Sequence, residues 1–303
     1  MSMMIRDSWM ITMVRAGVRY APHPAIRSGL WHRLVEPEFA WRDHAFVSHT
    51  AAGRLAGNTR DILQQYLYYF GVWEPEVTAF LQRRLMPGDG FVDIGANIGY
   101  FSLLAAKRVG PTGRVIAIEA SPSVYEHLVG NVHRNSAHQV TTFNTAAASE
   151  AGRVKLYCGQ DCNCGATSIV PEGNETAIAE VEAAPLAAII DERDWNKTRL
   201  VKIDVEGAEA GVVRGFNGLI EKGRTDREFL IEVHPLQLQQ LGNTVEEVLA
   251  PFRAAGYHAY TIGNDYDPES YLSRAQPARP QRMVATIDCD TNVILSRVDR
   301  SEL

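Results

Sequence analysis

Six ionisable residues stand where short apolar runs of the sequence end, and their types suit proton transfer or the binding of a polar ligand. The six are Asp93, Glu119, Asp204, Glu206, Glu232 and His234. Carboxylates accept hydrogen bonds from hydroxyl and ammonium groups, and a histidine beside a carboxylate can titrate near neutral pH and take a proton. Strand ends of this kind form the ligand-binding edge of an open α/β sheet, so these residues are candidates for a functional site.

A glycine turn is the centre of this pattern. Residues 90–101 read as a short strand, a turn containing Gly95 and Gly99, and the first residues of a helix, which leaves backbone N–H groups free at the helix start. A dinucleotide site needs glycines in the pattern G-x-G-x-x-G, whereas Asn97 and Tyr100 stand at the second and third positions. The turn therefore matches a nicotinamide or flavin site poorly.

Two motifs together carry a family resemblance. Residues 93–99 have the form D-x-G-A-N-x-G and resemble motif I of class I S-adenosylmethionine-dependent methyltransferases; residues 201–209 read VKIDVEGAE. In this order the two motifs resemble the FkbM-type methyltransferase family, over about residues 60–300. The resemblance implies an α/β, Rossmann-like fold: a seven-stranded, mostly parallel sheet with an antiparallel last strand, preceded by a mainly helical N-terminal arm.

The resemblance implies S-adenosylmethionine as the cofactor. The turn glycines and Asn97 would let the backbone approach its methionine end, and Asp93 would accept from its ammonium group. Glu119 is placed for the ribose hydroxyls, at a spacing similar to that of the acid in nucleotide-binding folds. The adenine contacts, after the third strand, rest on the family alone. The predicted cofactor site comprises Asp93, Gly95, Asn97, Gly99, Glu119, Ser121, Asn144, Ala147 and Asp204.

The implied reaction is methyl transfer to a hydroxyl group of a small product such as a sugar, polyketide, peptide or other secondary metabolite. Such catalysis needs an acceptor oxygen held in line with the methyl group and a base that removes its proton. We expect His234 or Asp204 to accept this proton, with Glu206 orienting it. The residues expected to border the acceptor are Tyr66, Trp73 and Glu232.

Three alternatives stay open on the sequence. Methylation of a carboxylate or a nitrogen would need less help from a base. A protein that kept the fold without catalysis would act as a cofactor-binding scaffold, although Asp93, Glu119 and Asp204 are all present. A divalent metal held by Asp204, Glu206 and His234 is the less favoured alternative, since carboxylate and imidazole ligands suit Mg²⁺ or Mn²⁺.

The elements that must position these residues alternate between strand and helix. The strand-like segments of this βα rhythm are residues 90–95, 114–120, 140–147, 200–205 and 229–233. Residues 150–190 break the rhythm and read as three short strands, an antiparallel insertion beside the main sheet. Residues 257–262 and 292–296 are expected to pair as the antiparallel finish of the sheet.

Length and composition limit the function classes. The 303 residues can bury a large core, and 46% hydrophobic with 22% charged residues is ordinary for a soluble globular protein. An apolar run long enough to span a bilayer and a signal-peptide pattern are both lacking, which predicts a cytoplasmic protein. The net charge of −6 argues against nucleic acid as the main ligand.

The N-terminal segment differs in charge from the remainder. Residues 1–60 contain eight arginines and four acidic residues, a net charge of +4. We predict a helical and hairpin arm over residues 1–60 and the methyltransferase domain over residues 61–303. The arm should dock on the acidic body, either as a lid over the acceptor or as a contact in a homodimer. The polar segment 264–282 is expected to be a mobile loop.

Three of the four cysteines lie close together, in a C-x3-C-x-C pattern formed by Cys158, Cys162 and Cys164. A structural zinc site typically has four ligands, while Cys289 is distant and no histidine stands near the cluster. We therefore interpret these cysteines as incidental to function.

Overall fold

The structure is a computed structural model and describes residues 2–40, 42–158, 167–169, 176–216, 218–263 and 265–303. Its strands are β1 (Ala45–His49), β2 (Arg54–Asn58), β3 (Gly90–Ile94), β4 (Arg114–Glu119), β5 (Val140–Asn144), β6 (Ala146–Ala147), β7 (Gly152–Cys158), β8 (Thr167–Ser168), β9 (Ala179–Ala184), β10 (Thr198–Ile203), β11 (Glu228–Val233), β12 (His258–Ile262), β13 (Gln281–Arg282) and β14 (Thr291–Ser296). Its α-helices are α1 (Ser2–Tyr20), α2 (Pro24–Leu30), α3 (Ile62–Tyr69), α4 (Pro75–Arg84), α5 (Tyr100–Val109), α6 (Pro122–Arg134), α7 (Leu186–Ile189), α8 (Glu192–Lys197), α9 (Glu209–Arg214), α10 (Pro235–Gln240), α11 (Val245–Ala254) and α12 (Pro268–Ser273). A π-helical segment, Trp31–Phe39, follows α2.

The main sheet has the strand order β13-β12-β14-β11-β10-β3-β4-β5. The five strands from β11 to β5 are parallel, and β14 lies antiparallel between β11 and β12. This arrangement confirms the predicted mostly parallel sheet with an antiparallel finish. One edge strand was not predicted: β13 has two polar residues, a length and composition that give no strand signal.

Both faces of the sheet are covered, because successive side chains of each strand point to opposite sides. Phe91 and Val115 are buried in the hydrophobic cluster on one face, together with residues of α3–α6 and the N-terminal helices. Val92 and Ile116 are buried in the cluster on the other face, beneath α8, α9 and α11. Near-continuous apolar strands are the expected consequence of this double coverage.

The predicted insertion is a separate small sheet with the order β6-β9-β7-β8. β7 pairs antiparallel with β8 and β9, as expected, whereas β6 pairs in parallel with β9. Val154, Leu156 and Ile169 of this insertion line the cleft described below. The sheet therefore forms one wall of the candidate site.

The N-terminal segment contains more helix than the sequence indicates. α1 extends over 19 residues, and Val14, Val18 and Trp31 share a hydrophobic cluster with Tyr69 of α3. β1 and β2 form the predicted hairpin. Within the described ranges, no helix is long and apolar enough to cross a membrane.

The arginines of this segment bind differently from the expectation. Arg15 Nε donates to the carbonyl oxygen of Tyr68 at 2.7 Å, and Arg27 Nε donates to that of Leu272 at 2.7 Å. These arginines thus bond to main-chain oxygens rather than to an acidic surface. Arg27 is 3% exposed, so its hydrogen bonds replace the water it has lost.

Residues 265–282, which we call the strap, were predicted as a loop but contain α12 and β13. The strap is attached to the N-terminal segment at several points. Ser28 Oγ donates to Glu269 Oε1 at 2.6 Å, His32 Nε2 lies 2.8 Å from the same oxygen, and Arg27 binds the carbonyl of Leu272. The N-terminal helices therefore fix the position of the strap.

Candidate active site

A cleft of about 640 Å³ opens at the carboxyl ends of the central parallel strands. The strand order places the ends of β4 and β5 on one side of the glycine turn and the ends of β10 and β11 on the other. We call these the cofactor side and the acceptor side. The predicted site residues that line the cleft are Trp73, Gly95, Asn97, Glu119, Ala147, Asp204, Glu206, Glu232 and His234.

The glycine turn is a point of close approach between two strand ends. Gly95 has φ +81°, and a Cβ placed there would lie 1.7 Å from the carbonyl oxygen of Asp204. Only glycine fits that position. The expectation of free N–H groups is wrong at residues 95–99, because each donates within the protein, to Ile118 O, Glu119 Oε2, Asn97 Oδ1 or Ala96 O. The turn offers space rather than donors.

Glu119 ends β4 on the cofactor side. Its Oε2 accepts from the N–H of Asn97 and its Oε1 from the N–H of Ser121, both at 2.8 Å. Each carboxylate oxygen has a second acceptor position, which suits the two hydroxyls of a ribose. Burial raises the pKa of Glu119 to about 7, although the two N–H groups oppose the rise. Its carboxyl group thus fits the predicted ribose contact.

Several predicted residues do not line the cleft. They are Tyr66, Asp93, Gly99, Ser121 and Asn144. Asn144 Nδ2 donates to the carbonyl oxygens of Glu119 and Ala120. Asp93 is 1% exposed, accepts from Ser102 Oγ at 2.5 Å, and has its pKa raised to about 6 by burial, which Lys202 partly offsets. The predicted contacts of Asp93, Gly99, Ser121 and Asn144 with the cofactor, and of Tyr66 with the acceptor, stay predictions.

A buried ion pair lies under the floor of the cleft. Lys202 is 1% exposed, and its Nζ lies 2.6 Å from Asp204 Oδ2 and 4.8 Å from the ring centroid of Phe101. Burial would lower the pKa of Lys202, but Asp204, Glu74 and other carboxylates raise it instead. Burial would likewise raise the pKa of Asp204, but Lys202 lowers it. Asp204 is therefore a weak base, contrary to one of the two expected assignments.

Glu206 and His234 meet on the acceptor side. His234 Nε2 lies 3.4 Å from Glu206 Oε2 and 3.9 Å from Glu232 Oε1, while Nδ1 lies 2.9 Å from Glu209 Oε1. Burial would lower the pKa of His234, but hydrogen bonding to Glu209 and the charges of Glu206 and Glu232 raise it to about 10. His234 thus carries a proton at neutral pH and cannot accept another, which disfavours its predicted role as the base.

Glu206 has the properties of a base poised near neutral pH. Burial and the charge of Asp204 raise its pKa to about 7, although His234 opposes the rise. Its backbone is left-handed, with φ 49°, and its carbonyl oxygen accepts from Ser168 Oγ at 2.8 Å. A non-glycine residue in this conformation is uncommon and is typical of functional sites.

The strap contributes Tyr266 to the acceptor side. Its hydroxyl donates to Glu74 Oε1 at 2.9 Å, and its ring stacks on Trp73 with centroids 5.1 Å apart. The hydroxyl of Tyr66 donates to the carbonyl oxygen of Tyr266 at 2.6 Å. Tyr66 therefore supports Tyr266 without lining the cleft itself. Burial and the charges of Asp204 and Glu74 raise the pKa of Glu232 well above its usual value.

The arrangement of side chains gives little support to the metal alternative. Among the residues that the structure describes, no group of three or more histidine, cysteine or acidic side chains has a geometry that could hold a metal ion. Of the predicted cysteine cluster, Cys162 and Cys164 and the side chain of Cys158 lie outside the described residues. Cys289 is an exposed free thiol.

Comparison with known proteins decides the family. The model of the methyltransferase FkbM domain matches residues 93–259, which is more than half of the chain. The chain belongs to the FkbM methyltransferase family. The matched residues include the glycine turn, Glu119, the motif at residues 201–209 and His234. The FkbM domain of this chain is thus an S-adenosylmethionine-dependent methyltransferase domain.

Individual relatives of known sequence or structure share at most about a third of their aligned residues with this chain among those described next. Methyltransferase sdnD of Sordaria araneosa is 31% identical over 161 residues, covering 43% of this chain and 61% of sdnD. Methyltransferase 1 of Beauveria bassiana is 27% identical over 150 residues, covering 43% and 60%. The crystal structure of methyltransferase FkbM from Methylobacillus flagellatus aligns with 97% of this chain and 60% of that chain, at 16% identity and a TM-score of 0.44. The chain spans about 60% of the length of these two curated relatives.

Three residues in or beside the site, Lys202, Glu209 and Tyr266, were given no role from the sequence. The sequence signals that could have identified them differ. Lys202 and Glu209 belong to the second motif, but the sequence does not show which groups they contact. Tyr266 lies in a polar segment without any motif. Because its partner Glu74 is 192 residues away in the chain, only the tertiary fold could bring these two side chains together.

Replacing Glu119 with alanine should weaken cofactor binding. The change removes the proposed ribose contact and also leaves the N–H groups of Asn97 and Ser121 without their acceptor. Hydrogen bonds to charged groups contribute about 1.5–3 kcal/mol, so the dissociation constant for S-adenosylhomocysteine should rise roughly tenfold to a hundredfold in calorimetry. Glu119→Gln keeps the shape of the side chain and should lose less affinity for S-adenosylhomocysteine than the alanine variant. Unchanged affinity in the alanine variant would remove Glu119 from the cofactor site.

Proposed function

We propose that the protein is an S-adenosylmethionine-dependent O-methyltransferase that acts on a hydroxyl group of a small product, such as a sugar, polyketide, peptide or other secondary metabolite. One observation carries the proposal. The carboxylate of Glu206 lines the acceptor side of the cleft, next to the glycine turn, and its pKa is raised to about 7 chiefly by burial. General bases are most effective when their pKa lies near the working pH.

The bound cofactor would supply a methyl group on a cationic sulfur. The chain's own residues have two tasks in the reaction: to hold the acceptor oxygen in line and to take its proton. Glu206 takes the proton as the oxygen–carbon bond forms and the carbon–sulfur bond breaks. Asp204 stays ionised beside Lys202, and its negative charge favours a cationic sulfonium nearby.

The assignment of the base departs from the sequence-based expectation for a physical reason. His234 holds its proton because Glu209, Glu206 and Glu232 surround it, and Asp204 holds none because Lys202 is 2.6 Å away. Glu206 alone of the three expected groups has a pKa that lets it be ionised and basic near pH 7. His234 then lies beside Glu206 as a positive charge, with Nε2 3.4 Å from Glu206 Oε2, and does not replace Glu206 as the base.

The charges of the acceptor side favour a hydroxyl over a carboxylate as the methyl acceptor. Five acidic residues line this part of the cleft: Glu74, Asp204, Glu206, Glu232 and Asp290. A carboxylate placed among them would be repelled, whereas hydroxyl groups can donate to carboxylate oxygens. The aromatic rings of Trp73 and Tyr266 give a flat apolar wall beside them, which suits a ring-shaped acceptor.

The proposal is tested by incubating the purified protein with S-adenosylmethionine that carries a labelled methyl group and a panel of hydroxylated sugars, polyketides and peptides. We expect a labelled product whose methyl group resists alkaline hydrolysis, as an ether does. An alkali-labile methyl ester or an N-methyl product would instead support the alternative acceptors. Binding of cofactor without transfer to any of the acceptor classes would support a scaffold. Activity lost with chelator and restored by Mg²⁺ would favour the metal alternative.

We further propose that residues 1–60 act as an arm whose task is to hold the strap over the acceptor. The support is the set of contacts from Arg27, Ser28 and His32 to the strap, which carries Tyr266. The remaining residues, 61–303, form the methyltransferase domain in this proposal. A contact between two copies of the chain through the arm is the alternative.

Deleting residues 1–40 should leave cofactor affinity nearly intact while acceptor turnover falls much more, but it also removes core residues such as Val18 and Trp31. Arg27→Gln is a sharper test, because it removes a charged hydrogen bond to the strap and leaves the core in place. Loss of about 1.5–3 kcal/mol of strap docking predicts a fall in turnover of roughly tenfold to a hundredfold. Exposed Arg33→Gln is the matched control. Normal turnover in Arg27→Gln would contradict the proposed task.

A further inference from the structure

Glu209 is a buried acid that the proposed reaction does not use. It is 0% exposed, begins α9, and is not among the residues that line the cleft. An acid in the first turn of a helix is ordinary, since the helix dipole favours it there. Complete burial is not ordinary for glutamate unless a partner compensates its charge. The partner of Glu209 therefore indicates its task.

That partner is the ring of His234. Glu209 Oε1 lies 2.9 Å from His234 Nδ1, and the side chain of His234 is 5% exposed. Because Nδ1 faces Glu209, the other ring nitrogen, Nε2, faces Glu206 at 3.4 Å. A histidine whose one nitrogen is held by a buried carboxylate has a fixed ring plane and a fixed proton at that nitrogen. The same arrangement orients the histidine of a Ser-His-Asp triad.

Glu209 also holds the turn that carries Glu206. The same oxygen, Oε1, accepts from the N–H of Gly207 at 2.9 Å. Glu206 and Gly207 both have left-handed backbones, with φ 49° and 99°, so the turn is one that needs support. One buried oxygen thus connects the backbone beneath Glu206 with the ring beside its carboxylate.

We propose that Glu209 is a positioning residue, which fixes the ring of His234 and the turn at Gly207 so that Nε2 of His234 points at the carboxylate of Glu206. The proposal rests on the proposed function, in which Glu206 is the base. Glu209 does not touch the acceptor, and it acts through His234 and the turn. The groups that face His234 are Glu206, Glu209, Glu232 and the charge of Asp204; those that face Glu206 are Asp204, Glu209, His234 and Asp290.

The test is Glu209→Gln, which is close in size but removes the charge that holds the protonated ring of His234, so the ring is no longer fixed against Glu206. We expect kcat to fall on the order of a hundredfold, as when a catalytic group is displaced by about 1 Å, with the KM for S-adenosylmethionine changed less than threefold. The imidazole nitrogen NMR signals of His234 should show loss of its proton at lower pH than in the wild type. The variant's kcat should then fall as pH rises through that midpoint, because the positive charge beside Glu206 is then lost.

Glu192→Gln is the matched control, because Glu192 also lies in the first turn of a helix, α8, but is exposed. If Glu209 only stabilised a helix start, both variants would show the same small change in unfolding temperature and a normal kcat. Glu209→Asp, which keeps the charge but shortens the reach, should give an intermediate kcat and provides a second variant if the first folds poorly. A wild-type kcat and an unchanged His234 titration in Glu209→Gln would overturn the proposal.

The two proposals fail in different ways. Absence of methyl transfer in the wild type would remove the proposed function, while the NMR titration of His234 would still report whether Glu209 holds its ring. An inactive Glu206→Gln together with a fully active Glu209→Gln would keep the proposed base and remove the positioning residue.

Discussion

Glu206→Gln is expected to lower the rate of methyl transfer by about a hundredfold to ten-thousandfold, the range of general acid–base catalysis. The amide keeps the size of the side chain but cannot take a proton. Because Glu206 lies on the acceptor side, the affinity for S-adenosylhomocysteine should stay within about threefold of wild type, a free-energy change under ~1 kcal/mol. Single-turnover kinetics and calorimetry measure the two quantities.

The matched control for Glu206→Gln is Asp290→Asn. Asp290 also lines the cleft and contributes to the electrostatic environment of Glu206, and no catalytic role is proposed for it. Loss of one negative charge from the cleft should by itself change turnover only slightly. A Glu206→Gln variant that turns over as fast as Asp290→Asn would show that the base is another group.

The pH dependence of turnover follows from the same residue. The raised pKa of Glu206, about 7, means that its carboxylate is protonated and inactive as a base below that pH. Wild-type kcat should therefore rise with pH through about 7, and this rising limb should be absent from the residual activity of Glu206→Gln. His234 stays protonated across this range because its pKa is raised to about 10, so it contributes no second limb there.

Lys202→Met is expected to destabilise the folded protein by about 1.5–3 kcal/mol, the contribution of a hydrogen bond to a charged group, because the side chain of Asp204 keeps 25% exposure to the cleft. Lys202 is 1% exposed, and its Nζ is the cation nearest to Asp204, at 2.6 Å. Its charge also offsets the burial of Asp93. Methionine fills a similar volume, so the loss should come from uncompensated carboxylates rather than from a cavity. Urea unfolding followed by circular dichroism measures it.

The pH dependence of this loss distinguishes charge from packing. Lys202 lowers the pKa of Asp204 in the wild type, so the pair adds stability above the unfolded pKa of about 3.9, and this stability is lost as pH falls. In Lys202→Met the pKa of Asp204 rises, and protonating it relieves the variant. The difference in unfolding free energy between the wild type and Lys202→Met, which we call the stability gap, should thus be smaller at pH 5 than at pH 8. Exposed Lys222→Met should show no gap at either pH; a gap independent of pH would indicate a packing defect instead.

The sequence by itself determined the sheet and the cofactor side of the site, because the signals for both are local. Short apolar runs such as 90–94 and 200–203 are typical of buried strands, and helices with clear starts alternate with them. Gly95 is required by the contact between two strand ends, and a glycine there is visible in the sequence. The two motifs, a hundred residues apart, meet because parallel strands bring their carboxyl ends to one edge.

The tertiary structure decided the roles on the acceptor side. Whether a carboxylate or an imidazole holds a proton depends on burial and on the charges around it, and these neighbours come from different parts of the chain. Lys202 takes Asp204 out of use as a base, while Glu209, 25 residues before His234, keeps the imidazole protonated. The sequence shows all these residues and none of these pairings.

The strap shows the same limit over a longer distance. Its composition is polar, and periodicity gives no reason to place Tyr266 in a site. Its position results from contacts with residues about 200 to 245 positions away, the hydroxyl of Tyr66 and the guanidinium of Arg27 among them. Contacts between such distant residues exist only in the folded chain, so tertiary packing, rather than any local sequence preference, decided that Tyr266 lines the acceptor side.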